Sequence, residues 1–415
     1  MLDPYEIRKD FPIFDRIIDD RKIVYFDNAA TSQKPRQVID TMKKFYEQYN
    51  ANIHRGLHRL SQEASELYEE AHDVIAEFIG ARDRSEIVFV RNTTEALNIV
   101  SFAWGLNNLR EGDEIVISIM EHHSNFLPWF KIAEYTGAKV RVVDIHDNAT
   151  LNYRQLESMI NGKTRVISIV HMSNVSGVIN DIKRIAKLAR EVNALLVVDG
   201  AQSVPHMSID VKDLDIDFLA FSGHKMLGAT GIGVLYVSKH IVDELDTFMV
   251  GGDTIKEVHY RGDLEIVWHD LPWRFEAGTP NIAGGIGLAE AAKYLMKIGM
   301  ENVRRHEVSL IKYLFKRLDE EGLLEKSRII GSKDPESRGG LISFTLGDLD
   351  PHATAMMLDV EGIAVRSGFH CAQPLHERLG FKRGSVRASF YIYNTFEEID
   401  YFIDVLKKMV LKPRL

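Results

Sequence analysis

The stretch "ALLVVDGAQSVPHMSIDVKDLDIDFLAFSGHK", residues 194–225, decides the fold. It holds two short apolar runs, "ALLVV" and "DFLAF", each followed by polar residues. Neither run alternates strictly between apolar and polar positions, so each reads as a strand covered on both faces. Asp199 follows the first run directly. Lys225 follows the second, far enough on for one crossover between two strands.

The same texture recurs on either side. "EIVFV" (86–90), "DEIVISIM" (113–120), "AKVRVVDI" (138–145), "TRVISIVHM" (164–172) and "GIGVLYVS" (231–238) read as further strands. Between them lie helix-like segments. "TEALNIVSFAWGL" is expected to start a helix near Glu95, and "DIKRIAKLAREVN" carries apolar residues at three-to-four spacing. Strands alternating with helices imply an α/β fold with a doubly wound, mostly parallel sheet. After about Pro280 the pattern changes. "GGIGLAEAAKYLMKIGMENVRRHEVSLIKYLFKRLDEEG" reads as one or two long helices, and "LISFTL", "IAVRSG" and "SVRASFYIY" read as strands of a second, smaller sheet. The expected division is a large domain over 26–290 and a small α+β domain built from 1–25 and 291–415, with the break between Ile286 and Ile298.

Composition narrows the function classes. The chain has 415 residues, 45% hydrophobic and 27% charged, which is ample for two domain cores. Its net charge of -9 argues against a general nucleic-acid binder. A single cysteine, Cys371, excludes an internal disulfide framework and suits a reducing compartment. The N-terminal "MLDPYEIRKDFPIF" lacks the apolar core of a signal peptide, and no apolar run is long enough to span a membrane. A soluble cytoplasmic protein is the expectation.

In an open α/β sheet, ligands sit beyond the carboxyl ends of the strands. Those ends read "RNTTEA", "EHHSN", "SNVSG", "DGAQS" and "SGHK". Lys225 is suited to a Schiff base with an aldehyde, although most lysines are solvated surface groups. Asp199 is either a helix cap or a partner for a cofactor's ring nitrogen. Thr93 and Thr94 either cap the helix that follows or bind a phosphate at its start. His122 and His123 form a doublet of which one could stack on an aromatic ring. "EHH" lacks the H-E-x-x-H spacing of a zinc site, and no metal is expected. "GKT" at 162–164 has Glu157 where a P-loop needs glycine, and "GATGIG" at 228–233 has the wrong spacing for a dinucleotide loop.

Taken together, "SGHKMLGATGIGVLY", "VVDGAQS", "EHHSN", "RFEAGTPN" and "VRSGFHCAQP" resemble the class V, fold-type I enzymes that use pyridoxal 5′-phosphate (PLP). Within that class the chain is similar to the group II cysteine desulfurases (the SufS/CsdB type), which include selenocysteine lyases. The resemblance runs from about Tyr25 to Asn394. It implies PLP as cofactor, L-cysteine or L-selenocysteine as substrate, and sulfur supply to iron–sulfur cluster assembly. By the same resemblance Lys225 is the Schiff-base lysine, Asp199 pairs with the pyridine nitrogen and Gln202 with the ring oxygen. His122 stacks on the ring and relays protons. Thr94, Ser222 and His224 match phosphate binders. Thr279 matches a threonine that reaches the cofactor of a neighbouring subunit, which implies a homodimer. Asn174 lies beside ring and substrate, and Arg387 clamps the substrate carboxylate. Arg366 and His54 match pocket residues near the cysteine. Cys371 matches the cysteine that takes sulfur as a persulfide, for delivery to an acceptor or scaffold protein. Arg366 and His370 are expected to supply positive charge to its thiolate. Two positions depart from the family pattern: Phe369 stands where a histidine is usual, and Ala229 where a proline is common. The rival readings are another PLP reaction, which needs no cysteine in the substrate loop, and a cofactor-free scaffold on the same fold.

Overall fold

The computed structural model describes residues 2–411. Seven strands form its main sheet: β1 (Ile87–Val90), β2 (Glu114–Ser118), β3 (Lys139–Val143), β4 (Thr164–Val170), β5 (Leu195–Asp199), β6 (Phe218–Ser222) and β7 (Gly233–Val237). Their order across the sheet is β1-β7-β6-β5-β4-β2-β3. β7 pairs antiparallel with both neighbours, and every other pairing in the sheet is parallel. Six strands therefore point one way, and their carboxyl ends share one edge of the sheet.

Alternation within the strands separates two cores. Phe89, Val116, Ile167, Val198 and Phe221 join one apolar cluster. Their sequence neighbours Val88, Ile117, Val166, Val197 and Ala220 join another. Successive side chains in a strand point to opposite faces, so both faces must be covered, which is why these strands read as continuous apolar runs. The first face is covered by α1 (Arg59–Ile79), α4 (Ile182–Glu191) and α5 (Ile282–Ile298); the second by α2 (Thr93–Ile99) and α3 (His123–Thr136).

Four later strands build an antiparallel sheet: β8 (Ser327–Ile330), β9 (Leu341–Leu346), β10 (Arg366–Gly368) and β11 (Ser385–Ser389), in the order β8-β9-β11-β10. A third core joins its inner face to α6 (Met300–Glu320) and α8 (Phe396–Leu411). Val24 and Phe26 enter this core from the N-terminal segment, with Phe26 edge-on to Phe390 at 4.7 Å. Gly299, at φ 85°, separates α5 from α6, so the long helical stretch is two helices.

Several local expectations are corrected. "IAVRSG" is not one strand. Ile363–Ala364 pairs parallel with Val24–Tyr25, and after Val365 the chain crosses to β11 as β10. "SVRASFYIY" stops being a strand at Ser389, because Asn394 turns the chain by accepting from the Tyr391 N–H. Phe390 to Tyr393 are fully buried all the same, so their apolar pattern mimics a strand. α2 starts at Thr93 rather than near Glu95, with Asn92 as its cap accepting from the Glu95 N–H. An exposed hairpin of Ile255–Tyr260 and Leu264–Trp268 has no counterpart in the expectations. Among the described residues, no helix is long and apolar enough to cross a membrane.

Candidate active site

A cavity of about 500 Å³ opens at the carboxyl edge of the main sheet, where the loop after β10 folds over it. That volume suits a small organic ligand. β5 and β6 lie side by side with Asp199 in register with Ala220, so Asp199 and Lys225 reach the same cavity. Lys225 sits on a short turn just past β6. Burial pushes its pKa down to about 8; Asp199 opposes that shift, and Arg387 adds to it. Asp199 is buried and accepts one hydrogen bond, from the Ala201 N–H at 2.9 Å. Burial raises its pKa, while Lys225 favours its anion. A carboxyl in this state favours a nearby cation or N–H donor.

Hydroxyls gather at one end of the cavity. Ser222 Oγ accepts from the Thr93 N–H at 2.9 Å and shares a 2.6 Å bond with the Thr93 hydroxyl. Thr94 Oγ1 and Ser124 Oγ are 2.7 Å apart, and Ser124 Oγ is 3.0 Å from His122 Nδ1. His122 caps α3, accepting from the Ser124 N–H. Burial holds His122 at a pKa of about 3 and His224 at about 4, so both rings are neutral near pH 7. Gln202 lies beside Asp199 and donates its side-chain N–H to the Ala29 carbonyl at 2.8 Å.

The lining also carries two cationic side chains, Arg387 and Arg366. Arg387 is buried; burial lowers its pKa to about 10, which leaves it charged at neutral pH. Its Nη1 donates to the Asn174 carbonyl at 2.9 Å. Arg366 binds Asp27 through Nε and Nη2, the closest contact at 2.8 Å. Cys371 lines the cavity at its exposed mouth. His370 and Cys371 both have left-handed backbones, with φ of 50° and 55°. Their carbonyls are held from the main-sheet side: Asn174 Nδ2 donates to His370 O, and the His123 N–H to Cys371 O, each at 2.7 Å.

Thr94, His122, Asn174, Asp199, Gln202, Ser222, His224, Lys225, Arg366, Cys371 and Arg387 therefore line one cavity, as the sequence suggested. His54 does not. It precedes α1, and its ring packs against Trp273 at 4.3 Å, outside this cavity. Thr279 is exposed and also outside it. His370 cannot supply positive charge to the thiol: burial, with Arg387 close by, keeps its pKa well below the usual histidine value. Phe369 places its ring edge-on to His376 at 5.6 Å. Asp27, Ser124 and Lys34 escaped sequence reasoning because their contacts join distant segments. Lys34 Nζ donates to the His224 carbonyl at 2.8 Å, and burial lowers its pKa to about 7. Only the "DNAATSQKP" context, a polar run after a short apolar one, hinted at Asp27 and Lys34.

The residues fit PLP on chemical grounds. A half-buried amine awaits an aldehyde, a buried carboxyl with one hydrogen bond awaits a ring N–H, and a hydroxyl cluster can receive a phosphate. Three buried atoms on cavity-lining residues (Asn174 Oδ1, His370 Nδ1 and Arg387 Nε) have no hydrogen-bond partner, which leaves capacity for a polar ligand.

Comparison with known proteins bears on the same point. The aminotransferase class-V family model matches residues 24–402. A cysteine desulfurase of Haloferax volcanii is 47% identical over 413 residues, covering 96% of this chain and 95% of its own. A probable cysteine desulfurase of Streptomyces coelicolor is 47% identical, covering 98% of this chain and 97% of its own. Among solved structures, the apo cysteine desulfurase of Thermococcus onnurineus NA1 superposes with a TM-score of 0.92 at 41% identity, covering 99% of this chain and 98% of that one. The Escherichia coli cysteine desulfurase CsdA, in an S-sulfonic acid form, gives a TM-score of 0.89 at 34% identity, covering 99% of each chain.

Proposed function

Because the chain belongs to the aminotransferase class-V family and is a PLP-dependent cysteine desulfurase, we propose that Cys371 is the residue that accepts sulfur from L-cysteine. One observation carries this reading. The only thiol in the chain sits on a left-handed loop at the mouth of the cavity that holds Lys225, with the carbonyls of residues 370 and 371 fastened from the other side.

The proposed roles follow from position and charge. Lys225 holds the cofactor through its amine and moves the proton at the substrate α-carbon. With PLP bound, Asp199 would keep the pyridine nitrogen protonated, and Gln202 would be the hydrogen-bond partner of the ring oxygen. Thr94, Ser222 and His224 would hold the phosphate, and neutral His122 would stack on the ring. Bound PLP supplies an electron-withdrawing ring that takes up charge from the α-carbon. Arg387 offers a fork of N–H donors to the substrate carboxylate, beside Asn174. Cys371, as thiolate, attacks the substrate sulfur. An S–S bond forms on the protein, the substrate C–S bond breaks, and the carbon skeleton leaves as L-alanine. Arg366 and Arg387 supply positive charge near the thiolate.

The finer assignment is a group II enzyme that feeds sulfur to iron–sulfur assembly in the cytoplasm and also cleaves L-selenocysteine. Exposed Thr279, outside its own cavity, supports a homodimer in which it reaches the partner's cofactor. The test is Cys371→Ala. Sulfide release from L-cysteine should be lost, while selenide release from L-selenocysteine persists because selenium leaves more readily. Unimpaired release from L-cysteine would remove Cys371 from the reaction.

A further inference from the structure

His123, the second residue of the doublet, has no part in the roles above, yet the two hydrogen bonds it makes outside its own helix both run to the cysteine loop. Its backbone N–H, the first of α3, donates to Cys371 O at 2.7 Å. Its Nε2 accepts from the backbone N–H of Gln373 at 3.3 Å. Gln373 is the first residue of a short helix, α7 (Gln373–Arg378). A helix start leaves its first N–H groups without partners inside the helix. Ala372, at the cap position of α7, has no side-chain oxygen to offer them. An imidazole some 250 positions earlier in the chain takes that place.

The loop needs this support. A left-handed backbone costs about 1–2 kcal/mol for each residue that carries a Cβ, and two such residues stand in succession here. Such strain persists only where the surroundings over-determine it. Three hydrogen bonds from the main-sheet side do so: Asn174 to His370 O, the His123 N–H to Cys371 O, and His123 Nε2 from Gln373. Burial lowers the His123 pKa, which keeps the ring neutral and Nε2 free to accept.

We propose that His123 is a positioning residue: it clamps the Cys371 loop by exchanging helix-terminal hydrogen bonds with it, and so fixes the thiol at the cavity mouth. This inference rests on the reading of Cys371 as the sulfur acceptor. The backbone half of the clamp survives any substitution that keeps the N–H, so the imidazole half is the part that side-chain variants test.

The experiment compares the PLP-loaded wild type with His123→Ala, His123→Asn and His123→Gln. Glutamine carries an amide oxygen about as far out as Nε2; asparagine is too short to reach. Three quantities are measured: the rate of Cys371 alkylation by iodoacetamide, kcat and KM for L-cysteine, and the cofactor absorption spectrum. In the Ala and Asn variants alkylation should speed up several-fold and kcat should fall roughly tenfold or more, with KM changed less than about twofold. Their spectra should match the wild type, and Gln should recover most of both losses. The proposal is overturned if alkylation and kcat in the truncated variants stay within about twofold of wild type, or if Gln behaves like Ala. A wild type whose Cys371 alkylates but never carries sulfur would defeat the acceptor reading instead, and the alkylation rates would still judge the clamp.

Discussion

Lys225 shows how one residue's surroundings set its chemistry. Only a neutral amine attacks an aldehyde, and burial brings the pKa from 10.5 to about 8. Below that pH the amine is protonated and unreactive; above it the neutral form dominates. Uptake of PLP by the cofactor-free protein should therefore rise with pH with a midpoint near 8, where an ordinary lysine would have its midpoint near 10.5. Asp199 is the anion that opposes this shift, so Asp199→Asn should move the midpoint to lower pH. Stopped-flow absorbance at a series of pH values checks both. Arg387 makes a second case. If Arg387 pairs with the substrate carboxylate as proposed, Arg387→Ala removes that buried charged pair, and KM for L-cysteine should rise on the order of a hundredfold. Steady-state kinetics measures it, and an unchanged KM would remove Arg387 from the carboxylate site. At this scale the sequence was readable for most residues that stood at a strand end, Ser124 of "EHHSN" excepted. Lys225, Asp199, His122 and Ser222 all do, and all line the cavity. Asp27, Ser124 and Lys34 were not readable, because each acts through a contact that only the folded chain creates.

At the scale of elements, β10, the cysteine loop and β11 form the working unit. Gly384 leads into β11 with φ 77°, and a Cβ there would stand 2.5 Å from backbone atoms of Gly368. Gly384→Ala adds a left-handed penalty to a backbone clash, together about 3 kcal/mol. A lower thermal midpoint and faster Cys371 alkylation should both follow, since Gly368 opens the loop. Unaltered values for both would mean that the hairpin end is more pliable than its contacts imply. The turn bearing Lys225 is held in a comparable way. The His224 carbonyl accepts from Ser32 N–H, from Thr31 and Ser32 hydroxyls, and from Lys34 Nζ. Strand positions were legible from apolar runs covered on both faces. The turn after Ser389 was not, because a buried turn carries the same apolar residues as a buried strand; nor was the break at Val365, where one extended run changes partner from Val24–Tyr25 to β11.

For the whole molecule, the cavity exists because two architectures meet. The main sheet supplies lysine, aspartate and hydroxyls from strand ends, and the small sheet supplies the thiol and both arginines. The segment from Val24 to Lys34 ties them, entering the third core at Phe26 and ending on the His224 carbonyl. If the protein works as a homodimer, sedimentation should give twice the 47.2 kDa chain mass. Thr279→Ala should then weaken PLP retention, read by the fraction of cofactor lost on dialysis, although Thr279 lies outside its own cavity. The central claim is that substrate sulfur passes to Cys371, and peptide mass spectrometry after one turnover with L-cysteine, without reductant, tests it most directly. One added sulfur atom is expected on the peptide containing Cys371, removable by dithiothreitol, with alanine formed in equal amount. Alanine formed while that peptide stays unmodified would contradict it.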